Sequence, residues 1–158
     1  MKHRWAALVM VLALGVFMPR VTEAQQTGPG QGGIVSRPGM TLGQNYPNPF
    51  NPETWIPFSV GLDGSSPGTC ADPGRQHKVT LRIYNVLAQV VAVPVLQGGS
   101  SGVAGGQPIE NLLLTCNQYV AYWDGKYRNT GREAASGVYI IRLEVDGKLL
   151  VMRSLNAK

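Results

Sequence analysis

The chain has 158 residues, 15% of them charged, with 20 glycines, 11 prolines and a formal net charge of +5. That length argues for one domain, and the many turn formers with few charges fit a globular β protein better than a helical or disordered one. The basic residues are scattered, with no run of them interleaved with aromatics as a nucleic-acid stripe would be, which argues against nucleic acid as a partner.

Lys2, His3 and Arg4 precede an apolar run from Trp5 to Met18, followed by Thr22-Glu23-Ala24 with its small residues. This order of basic, apolar and small residues predicts a secretory signal peptide, residues 1–24, cleaved after Ala24. The run is shorter than the roughly 20 residues a permanent span requires, so no permanent membrane span is expected. Cleavage removes Lys2, Arg4, Arg20 and Glu23, leaving eleven basic against eight acidic residues, a mild +3. Residues 25–41 are rich in Gly, Gln and Pro, a composition that buries little surface, and read as a flexible tether to a domain at 42–158.

Seven strands are expected in that domain. The first runs from Thr54 to Leu62, its inward set Ile56, Phe58, Val60 and Leu62, with Pro57 arguing for a sheet edge. After a Gly/Ser/Pro loop come His77 to Asn85, with Val79, Leu81 and Ile83 on one face, and Gln89 to Leu96, where Pro94 again argues for an edge. Ile109 to Leu114 and Tyr119 to Trp123 are shorter, and a long polar connection, Asp124 to Ser136, follows them. Asp146-Gly147 is a strong two-residue hairpin turn between Val138 to Val145 and Lys148 to Leu155. Pairing across it sets Val145 against Lys148, Leu143 against Leu150 and Ile141 against Met152, so Tyr139, Ile141, Leu143, Leu150 and Met152 face the core. The other face carries Ile140, Leu149, Val151 and Leu155 beside Arg142, Glu144 and Arg153, an apolar cluster that is a candidate contact surface. Seven short strands with regular turn signals and no helical period predict an immunoglobulin-like (fibronectin III-like) β-sandwich.

Cys70 and Cys116 are the only cysteines, and an exported chain meets an oxidising compartment, so a disulfide between them is expected. On the chain-entropy account it stabilises the fold by about 4 kcal/mol.

Four stretches in fixed order resemble a known family: Asn45-Tyr46-Pro47-Asn48-Pro49-Phe50-Asn51-Pro52, Ile83-Tyr84-Asn85-Val86-Leu87, Trp123-Asp124-Gly125 and Ala135-Ser136-Gly137-Val138-Tyr139. They are similar to the carboxy-terminal sorting domain (type A) of the type nine secretion system, and to the related immunoglobulin-like domain of the flagellar hook-cap protein. The resemblance implies a sandwich that serves as an address, carried through the periplasm and read by an outer-membrane translocon before the protein reaches the cell surface or medium. It implies recognition near the carboxy terminus, here Gly137, Tyr139 and the hairpin positions Ile140, Lys148, Leu149, Val151, Arg153, Leu155 and Lys158. Ala88 stands where the family's turn usually has Gly, and a left-handed conformation there would cost about 1 kcal/mol. The loops Asp63 to Gln76 and Gly98 to Gln118 are longer than the family pattern and each holds one cysteine, and a tether in place of a large passenger points to a stand-alone module or to a fragment of a longer protein.

Catalysis is not expected, nor is a cofactor or a metal. His77 is the sole histidine after cleavage and has no nucleophile motif beside it. Asp124, Asn129 and Glu133 lack calcium-loop spacing because Lys126 and Arg128 occupy alternate positions. Glu133, Glu144 and Asp146 sit on strand or turn positions that read as solvated. A different class of reading takes Trp55, Tyr122 and Tyr127 as the face of a carbohydrate or surface adhesion module. A third is a structural envelope subunit that self-associates through its edge strands.

Overall fold

The computed structural model describes residues 33–63, 68–98 and 104–158. The expected signal peptide and the first part of the expected tether lie outside them.

Ten strands form: β1 (Ile34–Arg37), β2 (Met40–Gly43), β3 (Thr54–Val60), β4 (Gln76–Tyr84), β5 (Val90–Ala92), β6 (Val95–Leu96), β7 (Leu112–Thr115), β8 (Asn117–Trp123), β9 (Gly137–Val145) and β10 (Lys148–Asn156). They build two antiparallel sheets, one in the order β1-β2-β3-β8-β6 and one in the order β10-β9-β4-β5, with β7 joined to β4. Among the described residues there is no helix, and therefore none long and apolar enough to cross a membrane.

Alternation explains why these strands share one core. Ile56, Phe58, Tyr119 and Ala121 from the first sheet meet Val79, Leu81, Ile83, Ile141, Leu143 and Leu150 from the second in a single buried cluster. This is the layering of a β-sandwich, in which each sheet hides one face against the other. The β9–β10 hairpin has the register that its two-residue turn requires, with Val145 opposite Lys148 and Ile141 opposite Met152. Asp146 and Gly147 take φ of 49° and 80°, as a primed turn demands.

The chain departs from the sequence expectation in five places. Ten strands replace seven, partly because the expected tether already contains a hairpin. Residues 34–37 and 40–43 pair around a turn at Pro38-Gly39, with Met40 and Leu42 buried. Two apolar residues amid glycine and proline carry too little periodicity to be seen before their partner β3 is known. Pro57 lies on a central strand, because β3 pairs with both β2 and β8. The β2 ladder ends at Leu42 opposite Phe58, so the donor that Pro57 lacks is not needed.

The expected strand Gln89 to Leu96 is two strands in two sheets, β5 with β4 and β6 with β8, and Val93-Pro94 is the crossing. Ile109 is buried but outside any strand; it is fixed by bonds from Leu81 N–H to its carbonyl (2.8 Å) and from its own N–H to Pro94 O (2.9 Å). Leu62 lies beyond β3, half-buried, and bridges to Cys70 rather than joining the inward set.

Two tyrosines lock the strand corners. Tyr119 donates its hydroxyl to Thr115 O at 2.8 Å, and Tyr139 donates to Ala135 O at 2.8 Å, each carbonyl four residues before its tyrosine. The Cys70–Cys116 disulfide, with Cα atoms 5.8 Å apart, ties the loop after β3 to the β7–β8 corner.

Candidate functional site

Three of the four stretches, 45–52, 123–125 and 135–139, converge on the end of β10, while Asn85 in the fourth caps its own turn. Phe50 is fully buried, its ring 5.1 Å from Trp123 and 6.1 Å from Tyr139 between centroids, while Trp123 and Tyr139 meet edge-on at 5.5 Å. Three separate stretches thus supply one aromatic cluster, whose pairwise geometry adds to simple burial. The backbone of Phe50 also pairs with the last strand: its N–H donates to Leu155 O at 2.9 Å, and Ala157 N–H donates to Phe50 O at 3.2 Å.

Asn48 Oδ1 accepts Leu155 N–H at 2.9 Å, and Asn156 Nδ2 donates to Ala134 O and Ala135 O at 3.0 and 3.2 Å. Behind this, the loop is held by Asn45, which is buried and donates to Thr54 Oγ1 (2.9 Å) and Pro47 O (3.1 Å). The bonds preceding Pro47, Pro49 and Pro52 are cis. Gly125 lies against Pro52 so closely that any Cβ would run into the Pro52 carbonyl, and its φ is 71°. Asp124 caps the same turn by accepting Lys126 N–H at 3.0 Å.

This clasp changes the reading of the carboxy-terminal positions. Leu155 is side-chain exposed, but both its backbone groups are occupied. Lys158 is engaged through its N–H to Ser136 Oγ (3.2 Å) and its ammonium to Glu133 (2.8 Å), which holds the Glu133 carboxyl below its usual range. Gly137 pairs with Asn156, and Tyr139 is core.

The first part of β10 is different. It is the outer strand of its sheet, and its register directs the N–H and C=O groups of Leu149 and Val151 away from β9. Among the described residues nothing bonds to them. Val151 (50% exposed), with Val138 and Leu155 (both 42%), faces outward, and Ile140 and Leu149 are half-buried beside them. On this face Arg142 of β9 pairs with Glu144 at 3.4 Å and Arg82 of β4 with Glu110 at 3.0 Å, while Lys78 of β4 is exposed. Lys148 and Arg153 form no ion pair among the described residues. Alongside β10 runs β1, the outer strand of the other sheet, all four of whose residues are exposed.

Of the three aromatics grouped in the sequence, two are neighbours. Trp55 and Tyr122 face each other across β3 and β8 with centroids 5.5 Å apart. Tyr127 packs instead against the core, its hydroxyl 3.3 Å from that of Tyr139. Tyr46, not singled out as a site by its sequence context, stacks on Trp55 at 6.1 Å and 15°. Only the pairing of strands far apart in the chain brings these rings together.

His77 is paired, its Nδ1 2.8 Å from Asp146 Oδ2. Burial works against ionisation of Asp146, but bonds from His77 and the Lys78 N–H, with the Arg75 charge, outweigh it and hold this carboxyl below its usual range. Among the described residues no nucleophilic hydroxyl bonds to the other imidazole nitrogen; a Cβ on Gly61 would meet it at 2.9 Å. Among the described residues no group of three or more His, Cys, Asp or Glu could hold a metal ion.

Comparison with protein-family models, with curated proteins and with solved structures finds no match.

Proposed function

We propose that this chain is an exported, non-enzymatic adaptor domain of immunoglobulin type, akin to the sorting domain of type nine secretion, which docks an envelope or translocon component along its β10 edge. The observation that carries the reading is the unpaired backbone of Leu149 and Val151, flanked by outward apolar side chains and open beside β1. An extended segment of a partner adds to such an edge through main-chain bonds, with alternate side chains supplying selectivity. The immunoglobulin assignment is supported by the two hydroxyl-to-backbone corners and by Trp123 in the core. The clasp supports a role for three of the four sequence stretches in holding the last strand, and the earlier part of that strand is the surface we propose as recognised.

The test is the double substitution Leu149→Lys with Val151→Lys, followed by intact mass spectrometry of periplasm, outer membrane and medium. A folded variant held in the periplasm, while the unaltered chain starting at Gln25 reaches the surface or medium, is the expected result. Normal export of the variant overturns the reading. Loss of its thermal transition would assign the face to the core, and Val151→Lys alone, at the more exposed position, then decides on export. A concentration-dependent mass in solution, lost in the variant, would redirect the edge to self-association.

A further inference from the structure

The outer face of the other sheet carries a row of side chains that neither the core nor the clasp uses. Tyr46, Trp55, Tyr122 and Val95 lie side by side across four chain segments, set by the pairs Tyr46–Trp55, Trp55–Tyr122 and Tyr122–Val95. Tyr46 and Trp55 are near-parallel at 15°, Tyr122 is tilted from Trp55 by 49°, and Tyr46 remains 51% exposed. The Tyr122 hydroxyl donates to Glu53 Oε2 at 2.6 Å, which pushes the Tyr122 pKa up to about 12 and holds the carboxylate at the rim. Glu53 Oε1 has no partner among the described residues and can accept further hydrogen bonds. Beside the rings lies an open groove of about 540 Å³, bounded by Gln97, Gly105 and Gly106.

The position of this row narrows what can sit on it. β3 and β8 are inner strands with both ladders occupied, so no backbone edge is offered and strand addition is impossible. A ligand has to be held by ring faces and by an acceptor. That combination suits a pyranose ring, whose axial C–H face packs on an aromatic plane while its equatorial hydroxyls donate to a carboxylate at the rim. Successive rings, 6.1 and 5.5 Å apart, suit successive sugars of an extended chain. Neither an aliphatic nor a strand-forming peptide needs the near-parallel pair or the fixed carboxylate.

We propose that Tyr46, Trp55 and Tyr122, with Glu53 at the rim, form a binding platform for an extended oligosaccharide of flat, equatorially substituted pyranoses. The site is independent of the β10 edge, and its test does not involve export. The mature chain, labelled with nitrogen-15, is titrated with cellohexaose, chitohexaose and a proline-rich decapeptide while the indole N–H signals of Trp55 and Trp123 are followed. Saturable movement of the Trp55 signal with an oligosaccharide, with Trp123 unmoved, is expected. Tyr46→Ala and Trp55→Ala are each expected to weaken binding about tenfold, and Glu53→Gln by less. Tyr46→Ala, at an exposed position, keeps the test valid if Trp55→Ala unfolds. No saturable shift with either sugar, shifts with the peptide only, or sugar binding unchanged in Tyr46→Ala would each overturn the proposal.

Discussion

The two halves of β10 are one strand with two different fates. From Arg153 onward its backbone is held by the proline loop, through Asn48 and the Phe50 backbone, and the Asn156 amide ties it to Ala134 and Ala135. From Lys148 to Met152, Leu150 and Met152 pack into the core, but among the described residues only β9 bonds the backbone. The side-chain pattern is the same in both halves, alternating buried and outward, so pattern alone does not distinguish them. A loop more than 90 residues earlier in the chain makes the difference, and it turns one half into structure and leaves the other as surface.

That contrast can be broken at the clasp. Phe50→Ala empties the aromatic cluster and removes the side chain that anchors the loop, and should cost about 3–5 kcal/mol, read as a lowered denaturation midpoint. Hydrogen exchange should then rise at Leu155 and Ala157 before it rises at Leu150. Uniform exchange along β10 would mean that the clasp does not distinguish the halves. Reducing the Cys70–Cys116 bond acts on the opposite rim and should lower stability by about 2–4 kcal/mol without changing the relative protection of the two halves.

Smaller changes sharpen the comparison. Asn48→Ala removes one acceptor from Leu155 and should cost about 1–2 kcal/mol by chemical denaturation, felt in the clasped half alone. Ala88 sits at φ 59°, the left-handed conformation for which the sequence comparison expected glycine, so Ala88→Gly should raise stability by about 0.4–1 kcal/mol and leave both halves as they are. The free half has its own pH signature. Asp146 is held below the ordinary carboxylate pKa of about 3.9, so its contribution is present above that value and is lost as pH falls through the lower folded value. Tm of the unaltered protein should therefore exceed that of Asp146→Asn at pH 6, and the two should converge below about pH 3. Asparagine keeps the Asn-Gly turn, so a gap that persists in acid would mean that the turn, and not the charge, is responsible.

How much of this was legible in the sequence depends on distance along the chain. The β9–β10 register followed from a two-residue turn between alternating strands, because pairing across a tight turn leaves one solution. Cys70 with Cys116 needed no geometry, being the only two candidates. The left-handed turn at Ala88 was raised only by the family resemblance, in which a glycine usually stands there. The β1–β2 hairpin was hidden because only two of its residues, Met40 and Leu42, are buried, and the split of 90–96 between sheets was hidden because a continuous apolar run looks the same whether it serves one sheet or two.

The site divides along the same line. By itself the sequence determined the β class, the disulfide and the hairpin with its outward apolar face, since composition, cysteine count and period-two alternation are local quantities. Tertiary structure decided that Phe50 meets Asn156, that Trp55 lies between Tyr46 and Tyr122, and that Tyr127 leaves the aromatic group for the core. Those contacts depend on which strands become neighbours, a choice made by the burial of the whole core and not by any single stretch.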